Sequence, residues 1–236
     1  MRKENCMCLL FAGAVPLFFI GHSTVAADEV VMIPLFTTET CTASDEVKSA
    51  GHCWKNRNLG ASRVATSFDD NAAFGDHYQW GRSRDGHQNL LSAPTTAISE
   101  NDVPGHSAFI ITNPLSPSDW RKPRNDNLWQ GLGGVNNPCP QGFRLPTYTE
   151  LENESLSWVS HDLEGAFLSF LKLVAAGSRR NTDGSYIQVG DTGRYWSSTV
   201  NGSASWFLSI RINSNGGATM SSSARANGFS IRCLKD

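Results

Sequence analysis

Hydrophobic and polar positions alternate, cluster and cycle along this chain in ways that place its elements. Residues 8–20 (CLLFAGAVPLFFI) form one apolar block. It spans about 13 residues, against the roughly 18–20 needed to cross a bilayer; Pro16 interrupts it, and no later run approaches that length. Residues 28–47 carry little pattern and read as an arm. In residues 54–60, Trp54 and Leu59 are core candidates and Gly60 ends the segment. Aromatics every few residues over 74–82 fit a buried strand or turn edge. Residues 83–138 hold no helical or period-two run and are punctuated by Pro94, Pro104, Pro114, Pro117 and Pro123. So long an irregular stretch in one domain reads as functional surface or a packed insertion, with Trp120 and Trp129 as buried anchors.

Period two returns at Phe143-Arg144-Leu145, after a turn marked by Pro140 and Gly142. Thr147 then opens a helix, and Glu150 three residues on completes a capping box. The helix is predicted over 148–159, with Tyr148, Leu151 and Trp158 along one side, and a second short helix over 163–170. Residues 171–177 (LKLVAAG) read as a strand and 178–192 as a hairpin turning at Thr182-Asp183-Gly184. Strands follow at 193–199, 204–212 and 228–234, separated by polar, glycine-bearing turns. Within 204–212, Trp206, Leu208, Ile210 and Ile212 share one face. Phe207, Ser209 and Arg211 share the other, which is mixed and reads as exposed. The expected class is α+β, with one or two helices on small antiparallel sheets and long irregular loops.

Composition adds the address. Arg2 and Lys3 precede the apolar block, and Val25-Ala26-Ala27 offers small residues for cleavage, so residues 1–27 read as a secretory signal. The exported product would be periplasmic, on the outer surface or secreted, without a membrane span. Cys6 precedes the apolar block and Cys8 opens it, so neither closes it, which argues against lipidation. The chain holds 20 basic and 22 acidic side chains; losing Arg2, Lys3 and Glu4 with the signal leaves a net charge near −3, which argues against a nucleic-acid partner. Few charges with abundant Gly, Ser, Asn and Trp suit a loop-rich extracellular binding fold.

The cysteines outside the signal are Cys41, Cys53, Cys139 and Cys233. An even number in an exported chain implies disulfides with three possible pairings. Cys41–Cys53 with Cys139–Cys233 is favoured, because the first closes a local loop and the second joins two short strand segments. A zinc site is the rival, and no Cys-x-x-Cys pair or nearby histidine spacing supports it.

Five motifs then occur in one order: Trp54-Lys55-Asn56-Arg57-Asn58-Leu59-Gly60-Ala61; Tyr78-Gln79-Trp80-Gly81-Arg82; Asn137-Pro138-Cys139-Pro140 with Gly142-Phe143-Arg144-Leu145-Pro146-Thr147 and Glu150; Tyr195-Trp196-Ser197-Ser198-Thr199; and Ser230-Ile231-Arg232-Cys233-Leu234-Lys235-Asp236. Their order resembles the Fibrobacter succinogenes major paralogous domain, a family of exported bacterial domains, over residues 53–236, with 28–52 as an N-terminal arm. The resemblance implies, more distantly, the C-type-lectin-like fold shared with formylglycine-generating enzymes and with the binding domains of bacterial surface proteins. It implies a scaffold that displays ligand-binding loops and no particular reaction.

Chemistry is sparse beside that scaffold. His52, His77, His87, His106 and His161 show no recurrent spacing and no partnering nucleophile, so catalysis is not expected. An enzyme of the formylglycine-generating type is the alternative, and it would need a redox-active cysteine pair where the bridge between Cys139 and Cys233 is expected. Asp69, Asp70, Asn71 and Asp76 form the best acidic cluster for a calcium ion, but lack the lectin-type Glu-Pro-Asn or Trp-Asn-Asp signature and read more simply as a solvated loop. Arg144 and Glu150 read as structural. Trp206, Phe207, Arg211, Asn213, Asn215 and Arg225, beside flexible Ser/Gly/Asn turns, are the candidate ligand-binding residues, for a glycan or a surface protein. A third reading treats 196–232 as the variable region of a diversified ligand-binding protein.

Overall fold

A computed structural model describes residues 41–112, 119–212 and 217–236. The expected signal peptide, most of the arm, and two candidate residues, Asn213 and Asn215, lie outside the described residues. The strands in chain order are β1 (Glu46–Ser49), β2 (His52–Lys55), β3 (Tyr78–Gln79), β4 (Pro94–Thr95), β5 (Phe109–Ile110) and β6 (Phe143–Arg144). After α1 (Tyr148–Leu156) and α2 (Leu163–Leu168) come β7 (Ser178–Arg179), β8 (Tyr186–Ile187), β9 (Thr192–Asn201), β10 (Ala204–Arg211), β11 (Ala218–Ala224), β12 (Gly228–Phe229) and β13 (Leu234–Lys235). The class is α+β, two helices with small and mainly antiparallel sheets, as the patterning implied.

The sheets tie distant segments together. One has the order β1-β2-β13-β6, so the last strand lies between the first hairpin and the strand that leads into α1. A second runs β3-β12-β7-β8, a third is the meander β11-β10-β9, and β4 pairs in parallel with β5. Both favoured disulfides are present: Cys41–Cys53, 12 residues apart, and Cys139–Cys233, 94 apart, with Cα–Cα distances of 5.5 and 5.9 Å. They use every cysteine among the described residues.

Packing explains the meander. Its cross-strand pairs Tyr195↔Leu208 and Trp196↔Phe207 are adjacent and therefore point to opposite faces. On one face Tyr195, Leu208 and Ile210 join Leu151, Trp158 and Leu163 of the helical side, with Trp54 and Leu234. On the other, Trp196 stacks on Phe229 at 4.3 Å, and Phe207 closes the cluster with Trp80, Trp129 and Ile231. The sheet is thus covered on both sides, and the expectation that the Phe207 face is exposed is wrong: Phe207 is 7% exposed.

Other expectations also need correction. Residues 171–177 form no strand although all of them except Lys172 are buried. Their backbone is satisfied piecemeal: Val174 N–H donates to the Tyr195 hydroxyl at 2.8 Å, Ala175 N–H to Phe68 O at 2.7 Å, and Ala175 O accepts from Gly190 N–H. Part of the arm is a strand, β1, held by the turn at Ala50 and Gly51, both with positive φ. The stretch read as a turn after β10 contains β11. Helix α1 ends at Leu156, where Ser157 caps it through N–H and Oγ bonds to Glu154 O, and α2 ends at Leu168.

The loop at 83–138 is anchored as its tryptophans suggested. Trp120 Nε1 donates to Trp80 O at 2.7 Å, and Trp129 Nε1 to Asn136 O at 3.0 Å. Asn136 in turn donates to Gly81 O and Asp102 O. Buried backbone carbonyls of an irregular segment need such side-chain partners.

Candidate functional site

The start of α1 is built locally. Thr147 accepts from Glu150 N–H, while Glu150 accepts from Thr147 N–H at 2.7 Å, the reciprocal capping box. Arg144 clamps both oxygens of the same carboxylate at 2.8 and 2.9 Å. This assigns structural work to Arg144 and Glu150 and fixes the first helical residue, Tyr148. Its N–H donates to Thr199 Oγ1 on β9, and its hydroxyl donates to Glu152 Oε1, both at 2.9 Å.

Trp206 meets Tyr148 there. The β9–β10 register shifts between Ser205 and Phe207, the mark of a bulge. Trp206 lies within that shift, half-buried, with its ring edge-on to Tyr148 at a centroid distance of 5.0 Å and an interplanar angle of 80°. Across β11 its pair partner is the exposed Ser222. The start of α1, the end of β9, the bulge of β10 and the outer strand β11 thus present two part-exposed aromatic rings, a hydroxyl and a carboxylate. The bond to Glu152 raises the Tyr148 phenol above its ordinary pKa, so it stays a hydrogen-bonding hydroxyl at neutral pH. Such a set supplies apolar contact together with hydrogen bonding at a rim.

The remaining candidates are dispersed. Arg211 is exposed at the end of β10, five residues from Trp206, or roughly 16 Å of strand. Phe207 is core. Arg225, taken as an exposed binding residue, is 1% exposed. Its guanidinium lies 4.4 Å from the Trp80 ring, pairs with Asp126 at 2.8 Å and donates to Gly202 O and Ala204 O, pinning the β9–β10 turn to the long loop. Tyr148 and Glu152 were missed because Tyr148 was grouped with the core-facing Leu151 and Trp158; their i,i+4 spacing was the available signal.

The acidic cluster is spent on structure. Asp70 accepts from Arg63 Nε and Nη2, from Thr66 N–H and hydroxyl, and from Ala72 N–H, and Arg63 foremost holds its pKa well below the usual range. Asp69 accepts from Ser67, and Asp76 from Tyr78. Among the described residues no group of three His, Cys, Asp or Glu side chains is placed to hold a metal ion.

Two histidines are buried and structural. The His77 Nε2 lies 3.0 Å from Ala176 O. His87 pairs with Asp85 at 2.6 Å through Nδ1, which leaves Nε2 to accept Gln79 N–H. Burial lowers both pKa values to about 4, so both rings are neutral at neutral pH. No helix among the described residues is long and apolar enough to cross a membrane. Compared with known proteins, the chain matches no family model, no curated protein and no solved structure.

Proposed function

We propose that this chain is an exported, non-catalytic binding domain of the bacterial surface or periplasm, which recognises a glycan through the Trp206–Tyr148 platform in adhesion. The observation that carries this reading is the edge-on aromatic pair, part-exposed and flanked by the Tyr148 hydroxyl, Glu152 and Ser222. A sugar offers an apolar C–H face and a ring of hydroxyls, and this platform offers the complement of both. Two disulfides suit an exported product.

The same reading takes the domain as a member of the Fibrobacter succinogenes major paralogous domain family with a C-type-lectin-like fold. Its support is that the ordered motifs fall at joints of the structure. Trp54, Trp80 and Trp196 are fully buried, Gly60 has φ +87 where an added Cβ would collide with the Asp76 carboxylate, and Cys139 and Cys233 form the long bridge. A protein ligand is the second reading, favoured by Ser221, Ser222 and Ser223 on the outer strand, small polar residues of the kind used in adaptable contact surfaces.

A glycan array probed with the oxidised chain and with Trp206→Ala tests the proposal. Binding to a defined set of glycans that the substitution abolishes is the expected result. An array blank for the native chain, or one unchanged by the substitution, would overturn it.

A further inference from the structure

At the far end of α1, about 13 Å along its axis from Tyr148, a pocket of about 330 Å³ opens against the β1–β2 turn. Residues 48–51, 157–159 and 168–170 line it. Its size falls within the range of small-molecule sites. Three large apolar side chains gather at its rim: Val159, Leu168 and Phe170 are 86%, 62% and 74% exposed. Trp158, buried, forms part of the wall. One such side chain on a surface needs no explanation, whereas several around one depression do.

The three serine hydroxyls of this pocket have one sense. Ser49 Oγ donates to Glu154 Oε1 at 3.0 Å, Ser157 Oγ to Glu154 O at 2.7 Å, and Ser169 Oγ to Ala166 O at 2.7 Å. A hydroxyl has one proton and two lone pairs, so each of these serines has spent its donor on the protein and keeps only acceptor capacity. Trp158 Nε1 is likewise committed to Glu154 Oε1, at 3.0 Å. The C-terminal end of α1, with no basic residue in its last turn, adds partial negative charge. Glu154 itself, bonded to both Ser49 and Trp158, is fully buried, and its Oε2 has no hydrogen-bond partner among the described residues. Burial raises its pKa against the pull of the Trp158 and Ser49 bonds, with Arg232 and His52 as the other charges in its field. Lys48 is the cation of the lining and has a partner of its own.

We propose that this pocket binds a small organic cation, a primary ammonium on an aromatic or branched aliphatic body. The body packs on Trp158, Val159 and Phe170, and the ammonium gives its protons to the serine oxygens while its charge faces the aromatic rings and the helix end. Such a cation supplies the donors that the three serine oxygens lack, whereas an anion meets acceptors at those oxygens and a counter-charge only at Lys48, which already has a partner. The proposal is independent of the platform at Trp206.

The test is an NMR titration of the full oxidised chain, following the Trp158 indole N–H, with 2-phenylethylammonium, 2-phenylethanol and 3-phenylpropionate as probes. The amine is expected to shift that resonance saturably with a Kd near or below about 1 mM, and the alcohol to bind at least about tenfold more weakly. The carboxylate should leave it unmoved. Phe170→Ala should weaken the amine about tenfold, and Val159→Arg, at a largely exposed position, should abolish its binding with the melting temperature kept. Trp206→Ala should change nothing here. Equal affinity for the three probes, amine binding indifferent to both pocket substitutions, or no Trp158 shift with amine up to about 10 mM would each overturn the proposal.

Discussion

Single buried polar atoms carry much of this structure. The Tyr195 hydroxyl accepts from Val174 N–H, donates to Val174 O at 2.9 Å and accepts from Asn58, so one side chain does for residues 171–177 what a neighbouring strand would do. Tyr195→Phe strands both backbone groups of Val174 in the core. It is expected to cost about 2 kcal/mol, read as a lower urea midpoint at unchanged slope. The buried histidines set the acid limb. In the unfolded chain each takes a proton near pH 6.5, but in the folded chain only near 4. The unfolded state therefore binds more protons between those values, and stability should fall as pH drops from 6.5 towards 4. Urea denaturation across that window checks it: replacing His87 by Gln should flatten the slope, and an equally steep slope in the variant would contradict this origin.

At the scale of elements, legibility followed how local the cause is. The helix start at Thr147 could be read from four residues because its cap, its N3 carboxylate and its dipole partner all lie within one turn. Thr147→Ala should therefore cost about 1 kcal/mol, measured by thermal or urea unfolding. Glu150 belongs to the same device. Burial alone would raise its pKa, yet Arg144 and Thr147 N–H overrule it and hold it at about 2. Its stabilising contribution is thus complete above the unfolded value of about 4.3 and is lost as pH falls towards 2. Phe207 was illegible for the opposite reason. Alternation correctly separates its face from that of Leu208, but whether the second face is covered depends on Phe229, which arrives from β12. Strand β11 was missed because its Thr-Met-Ser-Ser-Ser run is an outer strand that places few apolar groups in either core. Residues 171–177 misled because an apolar run predicts burial and not the partner that satisfies its backbone.

For the whole molecule, the organising fact is that the chain's last strand, β13, pairs with both β2 and β6, while Cys233 just before it is bonded to Cys139 just ahead of β6. Cysteine number and spacing made that pairing readable; the sheet order was not, since it depends on which two-residue strands find one another. In the chain-entropy account, removing the long bridge with Cys139→Ser and Cys233→Ser should cost about 4–5 kcal/mol, and removing Cys41–Cys53 about 3. Chemical denaturation of the two double variants checks the order, and equal losses would contradict it. The rigidity so gained holds α1 against the meander, and the candidate site exists only where those two meet. It was legible in part: Trp206 is conspicuous in a strand pattern, whereas its companion Tyr148 comes from a helix 58 positions earlier, a proximity that only the tertiary fold creates.

The most direct test of that site is calorimetric titration of the strongest array glycan into the native chain and into Trp206→Ala and Tyr148→Ala, with unfolding followed in parallel. The account predicts saturable binding by the native chain and losses of about 30-fold or more in Trp206→Ala, as expected of a central aromatic contact, at unchanged stability. Native-like affinity in both variants would contradict it.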